Sequence, residues 1–431
     1  EVNTDGWISC DPHLHTYTHS GHGDATSQER VITIAGEGIE LPVITDHNIA
    51  IQLDSIAKRL RVDSFFTLVT GNEFTTPIGH FNVFPVDPAS PVPDARVKDW
   101  KEVIERLGSK ENKTVILNHA RDAHLGFRPF DTKRHQQSTG KDLQGWEFPA
   151  NAMEVVNSGS QQHDILQLYH DWFGMMNGGH QLTPVGSSDS HDVLRYLAGQ
   201  ARTYIRYNGD ENTKIDIQQA TANFINGQVS VSFGLMVDVL IDKLYLPGDL
   251  VPAADEVVVE VQVRGPSWVK GDRVTLYVNG IVTREEEIQS DTAGMFRWSG
   301  YWIVPVPFED LFVVVVAQGP DPKVPFWPIN NPYQRTSAKW RPSIIGSSGA
   351  IWVDEDGNGK RTSAYEYAAG TIESINGDYK ELMRELNMYS EAVSVQAAII
   401  LQEQGVSIAV IEEALKMAYA PVKKAFRQIF K

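Results

Sequence analysis

Apolar runs in the first half of the chain are short and alternate with stretches of helical spacing. Leu41–Thr45, Thr67–Thr70, Thr114–Leu117, Ala152–Val156 and Thr183–Gly186 have the β-branched, apolar character of buried strands. Between them, Ser27–Glu37, Ile51–Leu60, Val97–Leu107 and Gln162–Met176 repeat apolar residues three and four apart, the period of an amphipathic helix. Ser27 ahead of Gln28-Glu29-Arg30 reads as a helix cap with an acidic first turn. This alternation predicts parallel strands joined by helices, hence an α/β barrel over residues 1–235.

The pattern changes near Met236. Val257–Val263, Val274–Val278 and Tyr301–Val306 alternate with period two, and Leu311–Ala317 is continuously apolar. Asn279-Gly280 between two such runs signals a two-residue hairpin. Residues 236–328 therefore predict a small antiparallel β-sandwich. In the remainder, 329–431, an extended connector rich in Pro and Trp leads to helical patterns at Tyr379–Leu386, Val393–Gln404 and Val410–Phe430, the last interrupted at Pro421.

At 431 residues the chain has room for more than one domain, and a formal charge of −17 argues against sequence-independent binding of nucleic acid. No run of about 20 apolar residues is present, which argues against a membrane span. The single cysteine, Cys10, excludes an intramolecular disulfide framework and reads as a small core residue. A start at Glu1 without methionine, together with the added sandwich, suggests an exported protein, with a cytoplasmic one as the alternative. Oligomeric state has no signature here.

Five polar segments sit at the ends of the strand-like runs: Asp11-Pro12-His13-Leu14-His15, Thr45-Asp46-His47, Gly71-Asn72-Glu73 with His80, Asn118-His119, and Ser188-Asp189-Ser190-His191. In a strand, side chains two apart share a face, so His13 and His15 can bind one ion, with Asp11 on the same side as a partner for a ligand imidazole. Imidazoles mixed with carboxylates suit Zn, Mn or Fe, and Glu73 is the natural bridging carboxylate. Any one segment alone is as well explained by an ordinary satisfied polar residue. Five strand ends doing so together point to a multinuclear metal site.

The order Asp-x-His-x-His, Thr-Asp-His, Gly-x-Glu, His, Ser-Asp-x-His resembles the PHP superfamily, the polymerase and histidinol phosphatase metallohydrolases. Gly79-His80-Phe81-Asn82, Asp171-Trp172 through Asn177-Gly178-Gly179, and Gly186–His191 with Arg202-Thr203-Tyr204 resemble its carbaryl-hydrolase-like (CehA/McbA-type) branch. The resemblance spans residues 6–230, with looser similarity in the sandwich. It implies a distorted (βα)7 barrel with two or three divalent transition metals at the C-terminal rim. One metal would take His13, His15, Glu73 and Asp189; a second would share Glu73 and add His80 and His119. A third would take His47 and His191 with one residue from the loop after His15, Asp24 or else His19, with His22 as a loop residue.

A hydroxide shared between such cations would attack phosphorus or a carbonyl carbon without a Ser or Cys nucleophile. Asp46, Arg121 and Arg202 are the further catalytic candidates. Arg121 reads either as a phosphate clamp or as a salt-bridge partner, and Arg202 either as a substrate contact or as an anchor for the His191 loop. His124, Arg128, His135 and His163 read as solvated or structural. The irregular stretch His124–Pro149, with Phe127, Phe130, Trp146 and Phe148, has the length of a lid walling the pocket. Asp354-Glu355-Asp356-Gly357-Asn358-Gly359-Lys360 resembles the start of a calcium loop, offering Asp354, Asp356, Asn358 and Lys360, although Tyr365 stands where such loops have Glu.

The expected function is a metal-dependent hydrolase of a small phosphoester. The alternatives are hydrolysis of a carboxyl or carbamate ester, and a non-catalytic binding protein whose barrel is a relic.

Overall fold

The computed structural model describes residues 2–122, 128–160, 164–209, 214–289, 294–332 and 340–430. Most of the strands and helices expected in the first half are present. Leu41–Ile44, Val69–Thr70, Thr114–Leu117, Ala152–Asn157 and Thr183–Ser187 are strands, and Ser27–Gly36, Asp54–Leu60, Trp100–Leu107 and Gln167–Asn177 are helices. Thr26, one residue earlier than the expected cap, begins the first of these helices in a reciprocal capping box with Glu29. His124, Phe127 and His163 lie outside the described residues.

Connectivity corrects the expected (βα)7 barrel. The fold is mixed α/β, with eleven α-helices among the described residues and several sheets, one of them a curled half-barrel with nine mixed strands along its main path and a further hairpin paired to it. Trp7–Leu14 pairs in parallel with Leu41–Ile44, but antiparallel with Arg202–Arg206 on its other side. Asn72–Thr76 and Gly79–Phe84 form an antiparallel pair, and Thr114–Leu117 is antiparallel to the latter. For Asn72–Thr76 and Gly79–Phe84 the physical reason is linker length. Only Pro77 and Ile78 separate Asn72–Thr76 from Gly79–Phe84, and a parallel crossover needs a dozen or more residues.

The long sheet does not end with the first half of the chain. Val229–Phe233 pairs with Ser343–Ser348, which pairs in turn with Leu311–Pro320. Gly346 permits this crossing, because a Cβ there would lie 2.2 Å from the Leu235 carbonyl oxygen. One hydrophobic core accordingly joins Phe81 and Trp172 to Tyr277, Phe312 and Ile345.

A separate three-stranded sheet, Met236–Ile241, Glu256–Arg264 and Phe296–Pro305, packs through its valines on the extension of the large sheet. The Asn279-Gly280 hairpin links Arg273–Val278 to Ile281–Glu287, with both turn residues at positive φ. At the C-terminus, helices Ala364–Ser374, Tyr379–Leu386, Glu391–Glu403, Ile408–Leu415 and Ala420–Ile429 share one core. Pro421 lies in the first turn of the last helix, where its missing N–H is harmless. Among the described residues no helix is long and apolar enough to cross a membrane.

Candidate metal centre

Two sheets meet at the expected site. A five-stranded sheet runs from Thr183–Ser187 through Ala152–Asn157, Thr114–Leu117 and Gly79–Phe84 to Asn72–Thr76. It touches the long sheet through two isolated bridges, Leu14 with Ser190 and His47 with Glu73. Close approach is possible because Gly71 and Gly186 carry no side chain: a Cβ on the first would lie 2.7 Å from a Val43 methyl, and on the second 2.7 Å from the Arg202 carbonyl oxygen. His13, His15 and His47 therefore arrive from one sheet, and Glu73, His80, His119, Asp189 and His191 from the other.

Their polar atoms converge on three overlapping groups: His13, Glu73 and His119; His13, His15 and Asp189; and His15, His47 and His191, each within 4.8 Å. Glu73 belongs to the first group only, but it is fully buried and faces several further imidazoles. Its Oε1 lies 3.1 Å from His80 Nδ1 and 3.5 Å from both His13 Nε2 and His119 Nε2. Oε2 meets His47 Nδ1 and lies 3.9 Å from His15 Nε2. Asp189 Oδ1 stands 3.2 Å from His13 Nε2 and 3.4 Å from His15 Nε2. Two ligand candidates, His119 at φ +28° and Asp189 at φ +51°, hold backbone conformations unfavourable for non-glycine residues.

The residues present fit a cation. Nε2 of His13 and of His15 are buried without a hydrogen-bond partner, and both face carboxylate oxygens. Burial, reinforced by neighbouring imidazoles, keeps His15 and His191 well below the usual histidine range, so both offer lone pairs. His13 is different: burial pulls it down, but Asp189 and Glu154 outweigh that and hold it well above its ordinary value. Burial raises the Asp189 carboxyl to about 6. These buried His, Glu and Asp clusters can hold metal ions.

Other expected residues fall elsewhere. The Asp24 carboxylate accepts the Val193 backbone N–H at 2.7 Å and joins none of the three groups. The His22 ring stacks instead on His191 and His47, with centroids 4.3 and 5.0 Å away. His19 lies in the short helix Tyr17–Ser20. Asp46 accepts the Thr16 backbone N–H and the Ser20 hydroxyl, and Ser20 lies 3.2 Å from His15 Nδ1. It thus acts on the site through a ligand.

Arg121 makes a two-pronged pair with buried Asp171, which anchors the turn after His119 to helix Gln167–Asn177. Arg202 donates to the Gly199 and Glu37 carbonyls, the anchoring role. In the insertion, Phe130 and Phe148 are buried with Trp100 in the main core, so these two aromatics do not wall a pocket. His135 is buried, stacks on Phe130 and lies 3.4 Å from Asp171, while Arg128 lies 3.9 Å from Asp131.

Two residues, Glu154 and Arg30, escaped the sequence reading, and Asp11 has a different role from the one expected. Asp11 accepts backbone N–H groups from His13, Ser188 and Gly199, not a ring. The ring partner of His13 is Glu154, at 2.6 Å from Nδ1. Its signal was available: a lone carboxylate inside the buried strand Ala152–Asn157 needs a reason to be there. Arg30, also fully buried, donates to the carbonyls of His15 and Ser190.

In the C-terminal part, Asp354 and Asp356 gather with Asp310, which stands just before strand Leu311–Pro320, a segment the sequence did not connect to them. Asn358 and Lys360 are not in that group; the Asn358 side chain bonds to Asp356 and to the Lys360 backbone N–H.

No family model matches the chain, and comparison with curated proteins gives no match.

Proposed function

We propose that this chain is a metal-dependent hydrolase of small phosphoesters, with a ligand set of PHP type carrying two or three divalent ions such as Zn, Mn or Fe. The observation that carries the proposal is Glu73: a fully buried carboxylate facing imidazoles of His13, His47, His80 and His119, which is the arrangement of a bridging ligand. Bound there, such ions lower the pKa of an attacking water and offset charge developing on the substrate's oxygens. The chain itself supplies the neutral donors His15 and His191, the carboxylates Glu73 and Asp189, and the Asp46–Ser20 relay that orients His15.

A second reading, hydrolysis of a carboxyl or carbamate ester, is favoured by one observation. Both arginines considered for contact with substrate are held by protein partners, Arg121 by Asp171 and Arg202 by the Gly199 and Glu37 carbonyls. Elemental analysis followed by a matched panel of aryl phosphates and aryl esters separates the readings. His13→Ala and Glu73→Ala are expected to abolish turnover with the fold retained. Absence of any transition metal after loading and dialysis would leave the binding-protein reading instead.

A further inference from the structure

We propose that Glu154 is the positioning residue of this centre, fixing the ring of His13 and the turn of His119 through one carboxylate. The inference rests on the metal-centre reading above.

Glu154 is 1% exposed. Oε1 lies 2.6 Å from His13 Nδ1 and accepts the Ser187 hydroxyl. Oε2 accepts the backbone N–H of His119 at 2.6 Å and the Asn157 side-chain amide at 2.7 Å. Four donors from four chain segments thus satisfy a carboxylate whose burial would otherwise be prohibitive. Two of those segments bear ligand candidates, and a third, Thr183–Ser187, leads directly into Asp189.

The chemistry is directional. A carboxylate only accepts, so in a neutral His13 the ring proton sits on Nδ1 and Nε2 keeps its lone pair. That atom lies 3.2 Å from Asp189 Oδ1 and 3.5 Å from Glu73 Oε1. A lone pair facing two carboxylate oxygens is repulsive, and the repulsion is relieved either by a proton on Nε2 or by a cation among them. Glu154 therefore selects the ring state that makes His13 a ligand. It also stabilises His119 in its left-handed conformation, through the N–H that a relaxed backbone would turn away.

The test uses the full chain. Zinc is titrated into metal-free wild type, Glu154→Gln and Glu154→Asp, with thermal melting of each metal-free form. A glutamine amide must present its NH2 to the pair of donors now bound by one of the two oxygens. The expected result is a loss of zinc affinity of about 10–100-fold in Glu154→Gln, smaller in Glu154→Asp, together with a lower metal-free melting temperature in Glu154→Gln. Nitrogen-15 NMR of zinc-loaded wild type, assigned with His13→Gln, is expected to show the His13 proton on Nδ1. Unchanged zinc affinity in Glu154→Gln, or a His13 proton on Nε2, overturns the proposal. The NMR result decides it even if the variants do not fold. Failure of wild type to take up zinc, manganese or iron overturns the metal-centre reading itself, a distinguishable outcome.

Discussion

Replacing Arg30 with methionine should loosen the site from beneath. The residue lies in helix Ser27–Gly36 and is fully buried, yet its hydrogen-bond partners at the site are backbone carbonyls: His15 at 2.8 Å, Ser190 at 2.9 Å and Asp192 at 3.4 Å. Burial lowers its pKa to about 10, with Asp11 and Asp46 opposing the fall, so it stays charged at neutral pH. Gross loss of three bonds from a charged donor would be about 5–8 kcal/mol. Two terms reduce that. Methionine no longer buries a guanidinium, which relieves several kcal/mol of desolvation, on the order of half the gross term. The Ser190 carbonyl also keeps the His15 backbone N–H at 3.0 Å, so the His15 carbonyl suffers most. The expected net loss is about 2–4 kcal/mol, read from the denaturant midpoint of metal-free protein. Arg30→Lys, which keeps the charge but not the fork, should fall between. A loss below about 0.5 kcal/mol, the size of an ordinary surface substitution, would refute the idea that this guanidinium braces the two ligand loops.

Two further effects lie away from the metal groups. Burial raises the Glu309 carboxyl to about 7, despite hydrogen bonds from Ser390 and Asn279. Because the unfolded chain loses that proton near pH 4.3, the group's contribution is full below about that pH and is lost as pH rises through 7, a change on the order of 3 kcal/mol. Thermal melting of wild type should therefore fall relative to Glu309→Gln as pH rises from about 5 to 8; a constant difference would show that Glu309 does not titrate there. Gly174 sits where a Cβ would lie 1.8 Å from the Gln137 carbonyl oxygen, so Gly174→Ala should displace the insertion and destabilise by about 1–3 kcal/mol or more. Gln137 also donates to Asp171 at 3.0 Å, so faster proteolysis within 128–149 should accompany the fall in melting temperature. Wild-type melting would contradict it.

Elements were easier to read than their connections. Thr114–Leu117 and the Asn279-Gly280 turn are fixed by local chemistry, apolar β-branched residues in one case and tolerance of positive φ in the other. Strand direction depends on partners remote in sequence. Arg202–Arg206 alternates without indicating that it lies antiparallel to Trp7–Leu14. Ser343–Ser348, rich in Ser and Gly, lacks any strong pattern, yet it pairs Val229–Phe233 with Leu311–Pro320. The ligand candidates were legible because His and carboxylates at strand ends are rare and periodic. Their supports were not. Arg30 acts through backbone carbonyls, which leave no trace in residue type, and Asp11, though read as a support, holds backbone amides instead of a ring.

That division between ligands and supports has a thermodynamic consequence. The candidate ligands straddle a seam between the two sheets, and His15 N–H to Ser190, Asn48 N–H to Glu73 and Glu73 N–H to Asp46 are among the backbone bonds across it. Without a cation, buried carboxylates there must be balanced by protons. Against the pull of burial, Glu73 and Asp189 hold His119 up to about 9, and Asp189 and Glu154 raise His13. A divalent ion replaces those protons, so loading near neutral pH should release them, measurable as a dependence of binding heat on buffer ionisation enthalpy. It should also staple the seam, adding about 2.7 kcal/mol of stability at a hundredfold excess over Kd. Chelation should therefore speed amide exchange at His15 and Asn48 while leaving helix Glu391–Glu403 unchanged. Equal acceleration in both places would mean that ions stabilise the molecule globally, and no change in either would mean that the two sheets hold together without them.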